Sequence, residues 1–157
     1  MVFAALAGAK FFSTMDTNKG YHQFRIDKGS RWLTTFITEQ EGIWQYKRVP
    51  FSLQNAPVFF QRSMNTLLGR YWWQFALAYI DDMVIWSKTW MEYLAHIEKV
   101  LLAFKRVNLM LDERKCNWGF TSIDLLCLRV NRLGLRTLAA KTEAITALLF
   151  PATVKQL

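Results

Sequence analysis

Short apolar runs alternate with short polar stretches along the chain, and the first third predicts strands joined by turns. Lys10 to Met15 is a mainly apolar run that ends at Asp16, and the turn-forming residues Thr17 to Gly20 follow it. Trp32 to Thr38 and Ile43 to Val49 are rich in aromatic and β-branched residues. Because a polar stretch separates these last two runs, they are predicted to form a hairpin.

Capping residues and helical spacing predict two helices. We expect Asn55 to cap the first helix, with Pro57 in its first turn, where a missing N–H costs little. Thr89 is expected to cap the second helix. The apolar positions of the first helix are predicted to be Phe60, Met64, Leu67 and Leu68. Those of the second helix are predicted to be Trp90, Leu94, Ile97, Leu101 and Phe104.

The last third of the chain predicts further strands and one more helix. Cys116 to Val130 has the composition of one or two strands, and Gly134 suits a hairpin turn. Lys141 to Phe150 predicts a short helix that ends at Pro151. Since strands and helices interleave and hairpins join the strands, the pattern indicates an α+β fold rather than a doubly wound parallel sheet.

Composition and charge narrow the class of protein. The chain has 157 residues, 52% of them hydrophobic, and a formal net charge of +8. These values suit one globular domain and exclude a disordered chain, and two cysteines exclude a disulfide scaffold. No apolar run approaches the roughly 18 residues that span a bilayer, so no membrane partner is expected. The positive charge favours nucleic acid as a partner, and the alternative is a merely soluble basic protein.

The cysteines and the N-terminus indicate an intracellular protein. Cys116 and Cys127 lack the spacing of a metal or redox motif, so reduced, buried thiols are expected. Met1 to Ala9 is apolar but short and has no basic region, unlike a secretory signal peptide. We therefore expect no signal peptide and an intracellular location.

An aspartate pair supplies the first candidate chemistry. Asp81 and Asp82 lie between the apolar runs Phe75 to Ile80 and Met83 to Trp86, which is typical of a hairpin with the pair at its tip. Neighbouring carboxylates repel one another unless a cation compensates them, although Asp is also common in ordinary exposed turns. Asp16 ends another predicted strand. Three such carboxylates could hold two Mg²⁺ ions for phosphoryl transfer.

Several segments have the order and spacing of motifs in one known family. They are Phe11 to Asp16 with Gly20 to Gln23, Pro50 to Pro57 with Phe60 and Gln61, and Tyr79 to Asp82. These segments resemble the first catalytic motif, the Pro-Phe-Gly-Leu-x-Asn-Ala-Pro motif and the Tyr-x-Asp-Asp box of reverse transcriptases from gypsy-class LTR retrotransposons. Thr89 to His96 and Leu109 to Cys116 resemble the segments that follow the box. The resemblance extends from about residue 7 to residue 148.

The resemblance implies a polymerase palm, an antiparallel sheet backed by helices, with part of the fingers. Residues 1–157 are then expected to form a single partial reverse transcriptase domain, without the upstream fingers, the thumb, ribonuclease H and integrase. The family's roles imply that Asp16 and Asp81 bind two Mg²⁺ ions, with Mn²⁺ as an alternative, and that Asp82 supports the same cluster.

Further roles are implied for residues that would touch the substrates. Tyr21 corresponds to the aromatic residue under the incoming sugar, although a core tyrosine is the plain alternative. Phe51 and Ser52 correspond to the segment against the incoming nucleotide and the template base, and Tyr79 to a contact with the primer end. Lys115 corresponds to a lysine near the triphosphate, and an ordinary solvated lysine is equally compatible with the sequence.

The function that the resemblance implies is RNA-directed DNA polymerisation, with an RNA or DNA template, a primer and dNTPs as partners. Its location would be the cytoplasm or a virus-like particle. The basic segment from Arg114 onward is the expected strand-contacting region, unless it is only a solvated face. The alternatives are a catalytically inactive nucleic-acid-binding remnant and an interaction protein that uses only the fold. The many aromatic residues predict self-association or contacts with the missing fingers and thumb.

Two positions depart from the family pattern. Ser52 stands where the family has glycine, whose freedom at positive φ lets the backbone approach a ligand closely. Leu126 to Leu128 stands where the family typically has Leu-Gly-His in the hairpin that positions the primer. Both departures put activity of this chain in question.

Overall fold

The strands of the protein form three antiparallel sheets in a computed structural model that describes residues 6–39, 42–125 and 128–137. In chain order the strands are β1 (Phe11–Met15), β2 (Phe36–Thr38), β3 (Gly42–Trp44), β4 (Ala76–Tyr79), β5 (Asp82–Ser87), β6 (Asn117–Phe120), β7 (Ser122–Leu125), β8 (Leu128–Asn131) and β9 (Gly134–Thr137). The central sheet has the order β4-β5-β1-β6, and β2-β3 and β7-β8-β9 form two smaller sheets. The predicted α+β class is confirmed.

Two helices cover the central sheet. They are α1 (Ala56–Leu68), which contacts β4, and α2 (Trp90–Arg106), which contacts β5. Short 3-10 helices lie at Gly20–Gln23, Lys28–Thr34, Gly69–Tyr71 and Glu113–Lys115. No helix in the described part of the chain is long and apolar enough to cross a membrane.

The first predicted hairpin is present, but its strands are shorter than expected. Trp32 and Leu33 belong to the 3-10 helix Lys28–Thr34, and the strand begins only at Phe36. Asp27 explains the difference, because its side chain accepts a hydrogen bond from the Gly29 N–H at 2.9 Å and starts the helical turn. Large apolar side chains of this region remain exposed, as expected for a surface that lacks a partner: Trp32, Leu33, Ile37, Ile43 and Trp44.

The C-terminal hairpin is confirmed, because Gly134 lies opposite Asn131 where β9 begins. The predicted helix Lys141 to Phe150 lies outside the described residues, as do two of the three residues of Leu126 to Leu128. Cys116 is a free, half-buried thiol whose pKa is raised, first by burial. Cys127 also lies outside the described residues.

The caps of the two helices differ from each other. Asn55 occupies the N-cap position of α1, but its side chain makes no capping hydrogen bond, so the expected cap of that helix is wrong. The backbone of Asn55 already has helical angles, with φ −92° and ψ −5°, whereas a capping side chain usually needs an extended residue. Thr89 caps α2 as predicted, and Glu92 completes a capping box.

The predicted apolar face is correct for α1 and only partly correct for α2, where Ile97 and Phe104 face the core and the other three predicted positions do not. In α1, Phe60, Met64 and Leu68 are buried. In α2 the buried side chains are Tyr93, Val100 and Phe104, with Ile97 packed against the same core. The predicted positions Trp90, Leu94 and Leu101 are exposed.

A buried hydrogen bond explains why α2 turns a different face to the sheet. The hydroxyl groups of Tyr93 and Ser13 are 2.8 Å apart, and Ser13 lies in the middle of β1. Tyr93 can therefore bury its ring without leaving its hydroxyl unpaired. The sequence does not show a partner 80 residues away, so the spacing of fully apolar side chains favoured a neighbouring face that omits Tyr93.

We expect His96 to make stability depend on pH. Its ring stacks on Phe75 at a centroid distance of 3.7 Å, and Ser87 Oγ lies 2.8 Å from its Nδ1. Burial, and to a smaller extent the Lys99 charge, lower the pKa of His96 in the folded protein. The unfolded chain then binds the proton more readily, so the stabilisation is present above about pH 6.5 and is lost as the pH falls through the folded pKa.

Urea unfolding of the wild type and His96→Gln between neutral pH and about pH 5 measures this effect. The loss of stability on acidification should be smaller in the variant. His22, the other histidine, is present in both proteins, so whatever it contributes cancels in the comparison. Equal losses in the two proteins would show that His96 does not carry the dependence.

Candidate active site

Three carboxylates gather at one edge of the central sheet. Met15, the last residue of β1, lies opposite Met83 of β5, so Asp16 follows at the same level as the start of β5. Asp82 is the first residue of β5 and lies opposite Tyr79, which places Asp81 in the two-residue tip of the β4–β5 hairpin. The structure thus places the three candidate aspartates on adjoining elements.

Ionising all three aspartates of this cluster at once is electrostatically unfavourable. The pKa of Asp81 is raised above its ordinary value, first by desolvation and then by the charges of Asp16 and Asp82. The Lys115 ammonium opposes this rise. Lys115 Nζ lies 3.3 Å from Asp16 Oδ2, although the two residues are 99 positions apart in sequence. The site therefore has an excess of negative charge that a single lysine only partly balances.

This donor set fits a divalent cation by its chemistry. Mg²⁺ prefers carboxylate oxygens, and a cation would relieve the repulsion that raises the pKa of Asp81. As the side chains stand, no three His, Cys, Asp or Glu residues among those described form a group able to hold a metal ion. Lys115 engages Asp16, so a cation bound here would compete with the lysine for that carboxylate.

Tyr21 lies near these carboxylates and packs against two other aromatic rings. It is buried, with a relative exposure of 9%, and meets the rings of Phe51 and Phe60 edge-on at 5.6 and 5.2 Å. Its pKa is raised, first by burial and then by the negative charge of Asp81. Tyr21 is thus a core tyrosine that also lies within electrostatic reach of Asp81, and its contact with the incoming sugar stays a prediction.

The remaining candidate site residues lie near Tyr21 or near the carboxylates. Phe51 is exposed and contacts both Tyr21 and His22, whose ring lies 5.0 Å away. Tyr79 is exposed at the end of β4, next to the hairpin tip. Lys115 is brought to the site by its ion pair with Asp16. The substrate contacts of these residues stay predictions.

Ser52 adopts a backbone conformation that favours glycine. Its φ is +70°, in the left-handed region, where a Cβ atom costs roughly 1–2 kcal/mol. Glycine at this position would lose that strain but would cost about 0.5–1 kcal/mol in chain entropy. The backbone at this position therefore suits the glycine of the family pattern, and the serine makes the same conformation less stable.

We expect Ser52→Gly to raise the free energy of unfolding by about 0.5–1 kcal/mol, the difference between these two effects. Urea denaturation at fixed pH measures it. Ser52→Ala is the matched control, because it removes the hydroxyl and keeps the strained Cβ. A gain of equal size from alanine would mean that the hydroxyl, and not the backbone angle, is responsible.

Two glutamines hold the site together in ways that the sequence did not show. Gln61 Oε1 accepts from the Ile80 N–H at 2.7 Å, and its Nε2 donates to the Ala78 carbonyl at 2.8 Å. It thereby grips the backbone on both sides of Tyr79 and supports Ile80 at a φ of +52°. The sequence indicated a role for Gln61 only through the motif that contains it. The hydrogen-bond partners of Gln61 are backbone atoms of another element, which no local pattern shows.

Gln23 likewise holds the loop after Asp16 through hydrogen bonds to backbone atoms. Its Nε2 donates to the carbonyls of Asn18 and Met110 at 2.7 and 2.8 Å, and its Oε1 accepts from the Met110 N–H at 2.7 Å. A further backbone bond runs from the Asp112 N–H to the Asp16 carbonyl at 3.0 Å. These bonds fix the segment that delivers Lys115 against the strand that delivers Asp16.

A carboxylate hairpin in an antiparallel sheet backed by two helices defines a polymerase-type α+β fold. The family described as reverse transcriptase (RNA-dependent DNA polymerase) matches residues 2–145, and the chain belongs to this family.

Curated relatives agree with this assignment. The chain is 33% identical over 156 residues to the retrovirus-related Pol polyprotein from transposon 297 of Drosophila melanogaster, covering 99% of this chain and 15% of that protein. It is 31% identical over 145 residues to the corresponding polyprotein from transposon gypsy of the same species, covering 92% of this chain and 14% of that protein. The chain therefore spans about 15% of the length of these relatives.

The fold is also found in solved structures. A foamy viral protease-reverse transcriptase in complex with double-stranded DNA superimposes with a TM-score of 0.87 at 23% identity. The match covers 99% of this chain and 27% of that one. A likeness at this level of identity supports the fold.

Proposed function

We propose that this chain is the palm, with part of the fingers, of an RNA-directed DNA polymerase that transfers nucleotides to a primer 3′-OH. The observation that carries the proposal is the meeting of Asp16 with the Asp81–Asp82 hairpin at one sheet edge, in a chain of the reverse transcriptase family. The partners would be a primed RNA or DNA template and dNTPs. The foamy viral protease-reverse transcriptase is in complex with double-stranded DNA in one solved structure and with an RNA/DNA hybrid in another, which supports this choice.

Each candidate residue has a task in this proposal. Asp16 and Asp81, with Asp82 in support, would hold two Mg²⁺ ions, or Mn²⁺ in their place. Such ions stabilise the attacking and leaving oxygens of phosphoryl transfer. Lys115 would release Asp16 and turn to the triphosphate, because a phosphate competes well for a lysine whose side chain is itself mostly exposed.

Aromatic side chains would position the substrates. Tyr21 lies on the packed rings below the carboxylates, so its edge would support the incoming sugar and exclude a ribose 2′-OH. Phe51 and Ser52, both exposed, would lie against the incoming nucleotide and the template base. Tyr79, held between the two backbone atoms that Gln61 grips, would contact the primer end.

A catalytically inactive nucleic-acid-binding remnant is the second candidate. The ion pair that engages Asp16, and the strained Ser52 in place of glycine, favour it. Primer extension on a primed RNA template with dNTPs and Mg²⁺ separates the two candidates. Template-directed extension is expected from the first. Salt-sensitive binding of the primer–template without extension would support the second, and the absence of both would leave an interaction role.

The exposed apolar residues of the β2–β3 hairpin form a candidate surface for protein contacts. We propose that this surface packs against other polymerase segments or, in their absence, against a second copy of the chain. Sedimentation velocity at increasing concentration should show association. A single monomer boundary throughout would contradict it.

A further inference from the structure

A cleft beside α1 has no role in the proposed reaction. It lies between α1, the 3-10 helix Gly69–Tyr71 and the C-terminal end of α2, and encloses about 880 Å³. None of the candidate catalytic or substrate residues lines it. Its volume falls in the range of roughly 300–1,000 Å³ that small-molecule sites occupy.

The cleft is strongly positive. Arg62, Arg70 and Arg106 line it, and none of the three is in an ion pair among the residues that the structure describes. The two stretches that supply most of the wall, residues 59–71 and 99–109, contain five lysines and arginines and no acidic residue. Arginines without an ion pair on one concave surface attract an anion, and arginine suits phosphate because it binds two oxygens at once.

Tyr71 lies beside these arginines, at the rim of the cleft. Its pKa is lowered, first by a hydrogen bond from Arg70 and further by the charges of Arg70, Lys99 and Arg106. The Arg70 guanidinium also lies 5.4 Å from the centre of the Tyr71 ring. Arg70 is thus held in place against the aromatic ring at the rim of the cleft.

The rest of the lining is apolar and partly aromatic. Phe59 is half exposed, and its ring packs edge-on against Phe24 at 5.2 Å. Leu67 and Leu109 extend this apolar surface. A simple anion would use the arginines and leave this surface in water, whereas a ligand with an aromatic body would cover it.

We propose that this cleft binds a nucleoside phosphate, with the phosphate on Arg62 and Arg106 and the base against Phe59. The size of the cleft, its unpaired arginines and its aromatic wall together favour a phosphate joined to a planar apolar group. An acidic peptide would match the charge but would leave the aromatic wall unused. The proposal does not require polymerase activity, because none of the three aspartates lines the cleft, although Gln23 lines it and also supports the loop after Asp16.

Fluorescence anisotropy of the full chain with N-methylanthraniloyl-labelled ADP tests the proposal. EDTA is present throughout, so that a metal-dependent nucleotide site is silent. We expect saturable binding that unlabelled ADP reverses, with adenosine and pyrophosphate at least about tenfold weaker as competitors. Arg62→Gln and Arg106→Gln should each weaken binding about tenfold, since each removes a charged hydrogen bond to phosphate.

Two further variants keep the test decisive. Arg136→Gln, on β9, makes the same change of charge away from the cleft and should alter the affinity less than about twofold. Thr66→Trp fills the cleft and leaves every arginine in place, and it should also abolish binding. Because Arg62, Thr66 and Arg106 are exposed, unchanged melting temperatures are expected for these variants.

Several results would overturn the proposal. They are the absence of saturable binding, equal effects of Arg136→Gln and Arg62→Gln, and unchanged binding by Thr66→Trp. Displacement by pyrophosphate as effective as that by ADP would reduce the site to a bare anion site. Displacement by a glutamate-rich peptide and not by ADP would assign the cleft to an acidic peptide.

Discussion

Asp81→Asn is expected to abolish primer extension by this chain while leaving its fold intact. Asparagine has the shape of aspartate but lacks the charge that would hold a divalent cation at the hairpin tip. Loss of a group that stabilises charge in a transition state costs at least about 10²–10³-fold in rate, and we expect a decrease of at least this size. Quantitative primer extension with Mg²⁺ measures it.

The same substitution should not destabilise the protein. The pKa of Asp81 is raised in the folded state, so its ionised form opposes folding at neutral pH. A neutral side chain of the same size removes that opposition, and the melting temperature should stay equal or rise. Loss of activity with unchanged or greater stability is expected of a catalytic aspartate. A merely structural aspartate would instead lose stability when it is replaced.

A matched control and a direct measurement complete this test. Glu98→Gln removes one negative charge from the exposed surface of α2 and should leave extension unchanged. Binding of Mn²⁺, followed by its electron paramagnetic resonance signal, should weaken in Asp81→Asn and not in Glu98→Gln. Extension that tolerates Asp81→Asn would remove Asp81 from the catalytic set.

Local patterns in the sequence predicted the elements that carry the site. β1, the β4–β5 hairpin and the cap of α2 depend on residues close together in the chain, and each lies where the sequence indicated it. The family resemblance then supplied the roles of Asp16 and Asp81, which spacing alone left undecided between a metal site and an ordinary turn. These features follow from short-range chemistry and motif order.

The features that sequence reasoning missed depend on contacts between remote segments. Tyr93 faces the sheet because of Ser13, and Gln61 grips the backbone around Tyr79. The ion pair between Lys115 and Asp16 joins residues 99 positions apart. No periodicity or capping signal contains such partners, so only the folded arrangement reveals which polar side chain supports which part of the site.

Phe60→Ala is expected to be the most destabilising single substitution proposed for this chain, at about 3–5 kcal/mol. The Phe60 ring is fully buried and meets Tyr21 and Phe24 edge-on at 5.2 and 5.6 Å. A Cβ atom built on Gly20 would lie 2.9 Å from this ring, which shows how closely the neighbouring turn packs on it. Truncation would leave a cavity that this rigid aromatic cluster cannot close.

Urea unfolding of Phe60→Ala against Val58→Ala measures the effect of the ring itself. Val58 lies two residues earlier on α1 with a relative exposure of 53%, so its truncation should cost less than about 0.5 kcal/mol. Both variants have alanine in the same helix, so helix propensity contributes little to the difference. Because total stabilities are about 5–15 kcal/mol, a full loss for Phe60→Ala would bring this domain close to unfolding. A cost near that of Val58→Ala would mean that the turn at Gly20 collapses into the space, and that the aromatic cluster around Tyr21 is more adaptable than its ring contacts indicate.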